Sequence, residues 1–354
     1  MWFASPKFWR TLRRVMKRSL VRRLAPAVVL LAATVGAVSC SSTTDSKGSG
    51  NAEVATGGER FGTADTETAK LGSDAAPGVF PRTVTHASGV TEIPKKPERI
   101  IVLDTGELDA VLSLGLKPVG MVETEGSSPV PTYLADKTEG IERVGKIQSV
   151  NVEAIAKLKP DLILGSKLRV DKLYQQLSQI APTVFSIRPG FPWKENFRLV
   201  GDAVGEENKV VEQLNQYADN AKALSAKFTG AKPTISLVRF MPGKIRLYAN
   251  KSLIGVILKD AGLPRPKDQD VDELAVEISL ENLPKAEGDY LFYSSYGKPD
   301  VTGETAALAN PAWGQLGAVQ RGKAFRVDDD VWYLGLGPIG ANLIVQQLGE
   351  FLAK

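Results

Sequence analysis

From residue 99 onward, short apolar runs alternate with stretches whose apolar positions recur every three or four residues. The run Ile100-Ile101-Val102-Leu103 has no polar alternation, which predicts a strand buried on both faces. Residues 107–114 predict a helix stopped at Gly115, and residues 118–122 the next strand. Helices over 151–158 and 172–180, each followed by an apolar strand at 161–164 and 183–187, continue the alternation. Such a pattern predicts a parallel α/β sheet. Ahead of it, residues 83–86 and 89–93 read as a hairpin turning at Ala87-Ser88. A helical middle follows, with one helix at 193–204 and a longer one at 206–228. In the longer one Val210, Val211, Leu214, Tyr217, Ala221, Leu224 and Phe228 keep a steady helical spacing. At about 1.5 Å per residue it should reach roughly 34 Å, enough to run along one side of the body. The α/β pattern then resumes through strands at 234–238, 290–293 and 323–327, with helices at 252–260 and 340–352.

One internal echo stands out in this pattern. Val152-Glu153-Ala154-Ile155 leads to Asp161-Leu162-Ile163-Leu164, and Leu280-Glu281-Asn282-Leu283 leads to Asp289-Tyr290-Leu291-Phe292. Asn151 and Ser279, each two residues before the Glu, suit a helix N-cap. Each half should therefore present one carboxylate, Glu153 or Glu281, at an equivalent helix start. A length of 354 residues, 43% hydrophobic and 24% charged, is enough for two such lobes.

The N-terminus departs from the pattern. Residues 1–39 hold eight Lys or Arg and no acid, so the formal charge of +4 becomes −4 (36 basic, 40 acidic) from Cys40 onward. No basic face for nucleic acid survives that subtraction. Residues 24–38 form an apolar stretch of 15 residues, short for a membrane span and right for a signal-peptide core. It ends in Ala37-Val38-Ser39-Cys40, which resembles the bacterial lipobox and predicts lipidation of Cys40, the only cysteine. Met16 opens a second, more typical signal, which leaves Met1 and Met16 both open as the start, and Arg13-Arg14 leaves twin-arginine export open beside the general route. Residues 40–79, rich in Ser, Thr, Gly and Asp, read as a flexible tether. The expected organisation is a signal peptide at 1–39, a lipid-anchored tether at 40–79, an α/β lobe at 80–190, a helical linker at 191–230 and a second lobe at 231–354.

Scarcity narrows the chemistry. With one cysteine, an intramolecular disulfide and a Cys-based zinc site are excluded. With His86 the only histidine, nucleophile–histidine catalysis and multi-histidine metal sites are strongly disfavoured.

The segments ERIIVLDTGELDAVLSLGLKPVG, VNVEAIAKLKPDLILG, LSQIAPTV and ANPAWGQLGAVQRGKAFRVDDDVWYLGLGP, with the long central helix, resemble the ferric-siderophore and cobalamin class of ABC-transporter substrate-binding proteins. The resemblance covers roughly residues 80–354 in order. It implies the class III architecture: two Rossmann-like lobes with parallel sheets, joined by a single long helix, with little hinge motion. It implies a ferric siderophore as cargo, an ABC permease and ATPase as partners, an extracytoplasmic lipid-anchored monomer, and no enzymatic activity. It also implies that Glu153 and Glu281 dock the lobes to the permease.

A siderophore saturates its own iron, so the protein needs no metal ligand or cofactor; it needs cations for exposed oxygens and aromatic faces for the organic shell. In doubly wound lobes ligands sit beyond the carboxyl ends of strands. That rule selects Arg239, Arg246 and Tyr248 in the second lobe, Lys167 and Arg169 in the first, and Trp332 and Tyr333 before the last helix. Haem or cobalamin cargo, and an envelope interaction protein that has lost transport, are the alternatives; haem would need an axial ligand from His86 or a tyrosine. Gly335-Leu336-Gly337-Pro338-Ile339-Gly340 matches G-x-G-x-x-G, but the chain ends too soon for a dinucleotide fold, so it is read as a flexible approach to the last helix.

Overall fold

A computed structural model describes residues 61–126 and 128–353; the expected signal peptide, Cys40 and the expected tether up to residue 60 lie outside the described residues. Helix α1 (Ala64–Thr68) precedes the hairpin β1 (Arg82–His86) and β2 (Gly89–Ile93). The first lobe then contains β3 (Ile100–Val102), α2 (Thr105–Ser113), β4 (Gly120–Glu123), β5 (Glu142–Lys146), β6 (Ser149–Val150), α3 (Val152–Lys157), β7 (Leu162–Ser166) and β8 (Thr183–Ser186). Helices α4 (Trp193–Val204) and α5 (Glu207–Ala226) follow. The second lobe holds β9 (Ile235–Met241), β10 (Lys244–Tyr248), α6 (Leu253–Asp260), β11 (Ala275–Ile278), β12 (Tyr290–Ser295), β13 (Ala324–Arg326) and α7 (Pro338–Phe351).

The first sheet runs β6-β5-β4-β3-β7-β8 and is parallel except where β6 turns back on β5. The second runs β11-β10-β9-β12-β13, with β9, β12 and β13 parallel and β10 and β11 antiparallel. This mixed α/β architecture has the parallel sheets expected of class III binding proteins. The patterning missed β5 and β6, which carry few apolar residues, and the short edge strand β11; it gave a strand at 234–238 and assigned no element to β10. Arg239 on β9 and Arg246 on β10 are direct cross-strand partners, with Glu277 of β11 next in the row.

Helix α5 buries Val210, Leu214, Tyr217, Ala221 and Leu224, one face of the predicted repeat, while Val211 is exposed. It braces both lobes: Gln213 and Lys209 donate to the carbonyls of Ser113 and Leu114 at the end of α2, and Tyr217 donates to Asp260 of α6. Gly205, left-handed at φ 71°, separates α4 from α5.

The echoed acids take equal places in the two sheets. Asp161 accepts the backbone N–H of Glu98 and Arg99 just before β3, and Asp289 accepts that of Thr234 just before β9. Each carboxylate thus pins the start of one central strand to its neighbour. The helices preceding them differ. Asn151 caps α3 through the N–H of Ala154 at 3.0 Å, whereas the expected Ser279 cap is absent, and Pro284 holds residues Leu280–Ala286 in a 3-10 helix.

Within the expected tether at 40–79, the described residues 61–79 are packed against the body rather than flexible. Ala64 and Thr68 of α1 are buried, and Gly72 exchanges two backbone hydrogen bonds with Thr85 at 2.8 Å. Phe61, Ala64 and Leu71 lie scattered among polar residues, so their partners become visible only in the folded chain.

Candidate functional site

The carboxyl ends of both sheets face one cleft, with an enclosed and open space of about 730 Å³. From the first lobe it is lined by Arg169 after β7 and by Arg188, Pro189 and Gly190 after β8. From the second come Arg239 and Met241 of β9, Arg246 and Tyr248 of β10, the start of α6, Tyr296 after β12, and Trp332, Tyr333, Leu334 and Leu336 before α7.

Carboxylates behind the cleft wall hold its cations. Arg169 Nε donates to Asp104 Oδ2 at 3.2 Å; Asp104 follows β3 and also binds the N–H of Thr105 at the start of α2. Arg239 Nε donates to Asp329 Oδ1 at 2.8 Å, and Nη2 closes a second bond to Oδ2, making the pair bidentate. Its Nη1 donates to the Tyr248 hydroxyl at 3.1 Å, while Tyr296 and Tyr333 present rings at 4.6 and 5.1 Å. Arg246 Nε donates to Glu277 at 3.0 Å. Arg188, only 2% exposed, lies over Phe61 at 4.4 Å and Phe191 at 5.4 Å. Burial first, then the neighbouring Arg169 charge, pushes its guanidinium down to about 10, so it stays charged at neutral pH.

Two guanidiniums opposite one another on a hairpin repel. The fold tolerates Arg239 beside Arg246 because Asp329 and Glu277 flank them, and an anion entering the cleft would meet donors already oriented.

Six of the seven residues selected from the sequence therefore line one cleft: Arg169, Arg239, Arg246, Tyr248, Trp332 and Tyr333. Lys167 does not; it opens the helical turn Lys167–Val170, half-buried and outside the lining. Trp332 is mainly a core residue, 1% exposed and packed on Phe292 at 4.8 Å. Tyr333 donates to the Val238 carbonyl at 3.1 Å. Sequence reasoning passed over Arg188 and Tyr296. Both lie within two residues of a strand's carboxyl end, so the rule that selected Arg169 reaches them when applied to every strand.

Glu153 and Glu281 are exposed near helix starts, apart from the cleft. His86 is buried in the hairpin, where its Nε2 is 2.9 Å from the Thr91 hydroxyl, and burial pushes its imidazole down to about 4. It does not line the cleft, which leaves a haem in that cleft without a histidine ligand.

The glycine-rich segment before α7 is not a loose approach. Asp109 of α2, in the other lobe, accepts the N–H of Ile339 at 2.8 Å and of Gly340 at 3.0 Å, and the Tyr133 hydroxyl at 2.7 Å. Any Cβ on Gly337 would lie 2.6 Å from Asp109. The helix N-terminus that resembles a phosphate cradle holds the protein's own carboxylate, joining the lobes beside the cleft.

A family profile described as periplasmic binding protein matches residues 100–331. The probable siderophore-binding lipoprotein YfiY of Bacillus subtilis is 38% identical over 287 residues, covering 77% of this chain and 88% of that one. The achromobactin-binding periplasmic protein of Dickeya dadantii is 29% identical over 265 residues, covering 72% and 86%. Staphylococcus aureus SirA complexed with staphyloferrin B has a similar structure, with a TM-score of 0.70 at 32% identity over 77% of this chain and 98% of that one. On the profile match, the shared identity and the two-sheet architecture with its cleft, the chain belongs to the periplasmic binding protein family.

Proposed function

We propose that the chain is the extracytoplasmic binding component of an iron(III)-siderophore ABC importer, anchored by a lipid on Cys40. The single observation that carries this reading is the convergence of Arg169, Arg188, Arg239 and Arg246 from both lobes on one cleft walled by tyrosines. Charge-assisted donors suit the exposed carboxylate or catecholate oxygens of a ferric chelate, and the rings suit its organic shell. Relatives named for siderophores support the same cargo class. The protein acts by capture and release, without catalysis and with no cofactor of its own. Exposed Glu153 and Glu281 are the proposed permease contacts, one for each lobe.

Titration of tryptophan fluorescence with ferric staphyloferrin B, ferric citrate, haem and cobalamin tests the cargo. The expected result is saturable quenching by at least one ferric chelate, lost when the chelator is offered without iron. Saturable binding of haem or cobalamin alone would replace this reading with the corresponding alternative.

A further inference from the structure

The segment just upstream of the hairpin crosses between the lobes beneath the cleft. Phe61, Ala64 and Leu71 pack with Ile187 and Phe191, which follow β8, and with Val256 of α6 in the second lobe. Asp65 of α1 reaches Lys251, immediately before α6, at 3.3 Å, and Lys251 Nζ also lies 4.7 Å from the Phe191 ring centre. On the first-lobe side the segment is pinned through Gly72 to Thr85, and through the N–H of Ser73 to Asp202 of α4 at 3.2 Å. The family match begins only at residue 100, so this segment precedes it.

Phe61 and Phe191 meet edge to face, with ring centres 5.5 Å apart, and both carry the Arg188 guanidinium. Arg188 is one of two guanidiniums that the first lobe contributes to the cleft. A phenyl face attracts a guanidinium through its quadrupole and so orients the group. The neighbouring Arg169 repels Arg188, and the aromatic support limits its retreat into other rotamers.

We infer that residues 61–71 form a strap across the two lobes, and that Phe61 is a positioning residue that holds Arg188 in its ligand-binding orientation. The inference rests on the siderophore reading above and adds to it a part of the site outside the matched family region.

The test uses the full-length chain with the substitutions F61L, F61Y, R188Q and F61L/R188Q, titrated with ferric staphyloferrin B and ferric citrate, with thermal unfolding of each variant alongside. Leucine keeps most of the apolar burial and removes the ring; tyrosine keeps the ring. The expected result is affinity roughly three- to tenfold weaker for F61L, near wild type for F61Y, and no further loss when F61L is added to R188Q. Wild-type affinity in F61L, or an F61L loss of equal size with and without Arg188, would overturn the inference, the second showing a general packing effect. F61Y as weak as F61L would overturn it as well. Failure of the wild-type chain to bind either chelate would sink the siderophore reading itself, and the positioning role with it.

Discussion

The consecutive acids Asp328, Asp329 and Asp330 carry three separate duties. Asp328 caps the N–H of Asp330 and accepts the Thr132 hydroxyl from the other lobe; Asp329 holds Arg239; Asp330 accepts the Thr132 N–H. In the sequence they form one acidic run, and only their neighbours in space separate the roles. Replacing Arg239 with Gln should weaken binding of a ferric chelate by about 1–3 kcal/mol, since a charge-assisted donor is lost; tryptophan quenching measures it, and unchanged affinity would remove Arg239 from the site. Glu107 is buried beside Asp104 with one oxygen on the Ser186 hydroxyl, and burial, then the Asp104 charge, pushes its carboxyl up to about 7. Because the folded value exceeds the usual one, its stabilising contribution is complete below about 4.5 and is lost as pH rises toward 7. His86, depressed to about 4, works oppositely: its contribution is present above 6.5 and is lost on acidification. The two partly cancel in wild type, so the informative quantity is a difference. Glu107→Gln should raise the thermal midpoint relative to wild type at pH 8 and lose that advantage at pH 5. An equal shift at both values would show that Glu107 does not titrate in this range.

At the scale of elements, the strongest predictions from patterning concerned α5 and the parallel central strands. Burial there follows from local periodicity, and the helix interior has no Gly or Pro. The short strands β5 and β6 carry few apolar residues and were passed over, as was the four-residue edge strand β11. The last helix shows the limit most clearly. Its glycine spacing was visible, but its partner Asp109 lies more than 200 positions earlier. Three donors converge on that carboxylate, so Asp109→Asn places an amide N–H₂ against a donor and should cost about 1–3 kcal/mol. Gly337→Ala drives a methyl into Asp109 and should cost about 1–3 kcal/mol by overpacking. Denaturant unfolding checks both. A Gly337→Ala midpoint equal to wild type would mean that the two lobes do not meet there as described.

For the whole molecule, the two lobes are linked by α5 along one side, by Asp109 at the base of α7, by Thr132 on the acidic run, and by the strap from Phe61 to Leu71. So many cross-lobe contacts favour a nearly rigid clamp, in which ligand enters without a large closure. If Glu153 and Glu281 dock to a permease, Glu153→Ala with Glu281→Ala should leave chelate affinity unchanged and abolish iron uptake in cells supplied with the siderophore. Uptake equal to wild type would remove both from the docking surface. The fold class, the long helix, the echo between halves and six of the seven selected cleft residues could be read from the chain alone. Each depends on local periodicity, or on the rule that parallel strands present their carboxyl ends to a ligand. The partners of Arg169 and Arg239, the strap under Arg188 and the capture of Asp109 by α7 were settled only by folding. They are contacts between residues far apart in the chain, and hydrophobic spacing carries no information about which distant carboxylate or ring will meet a given charge.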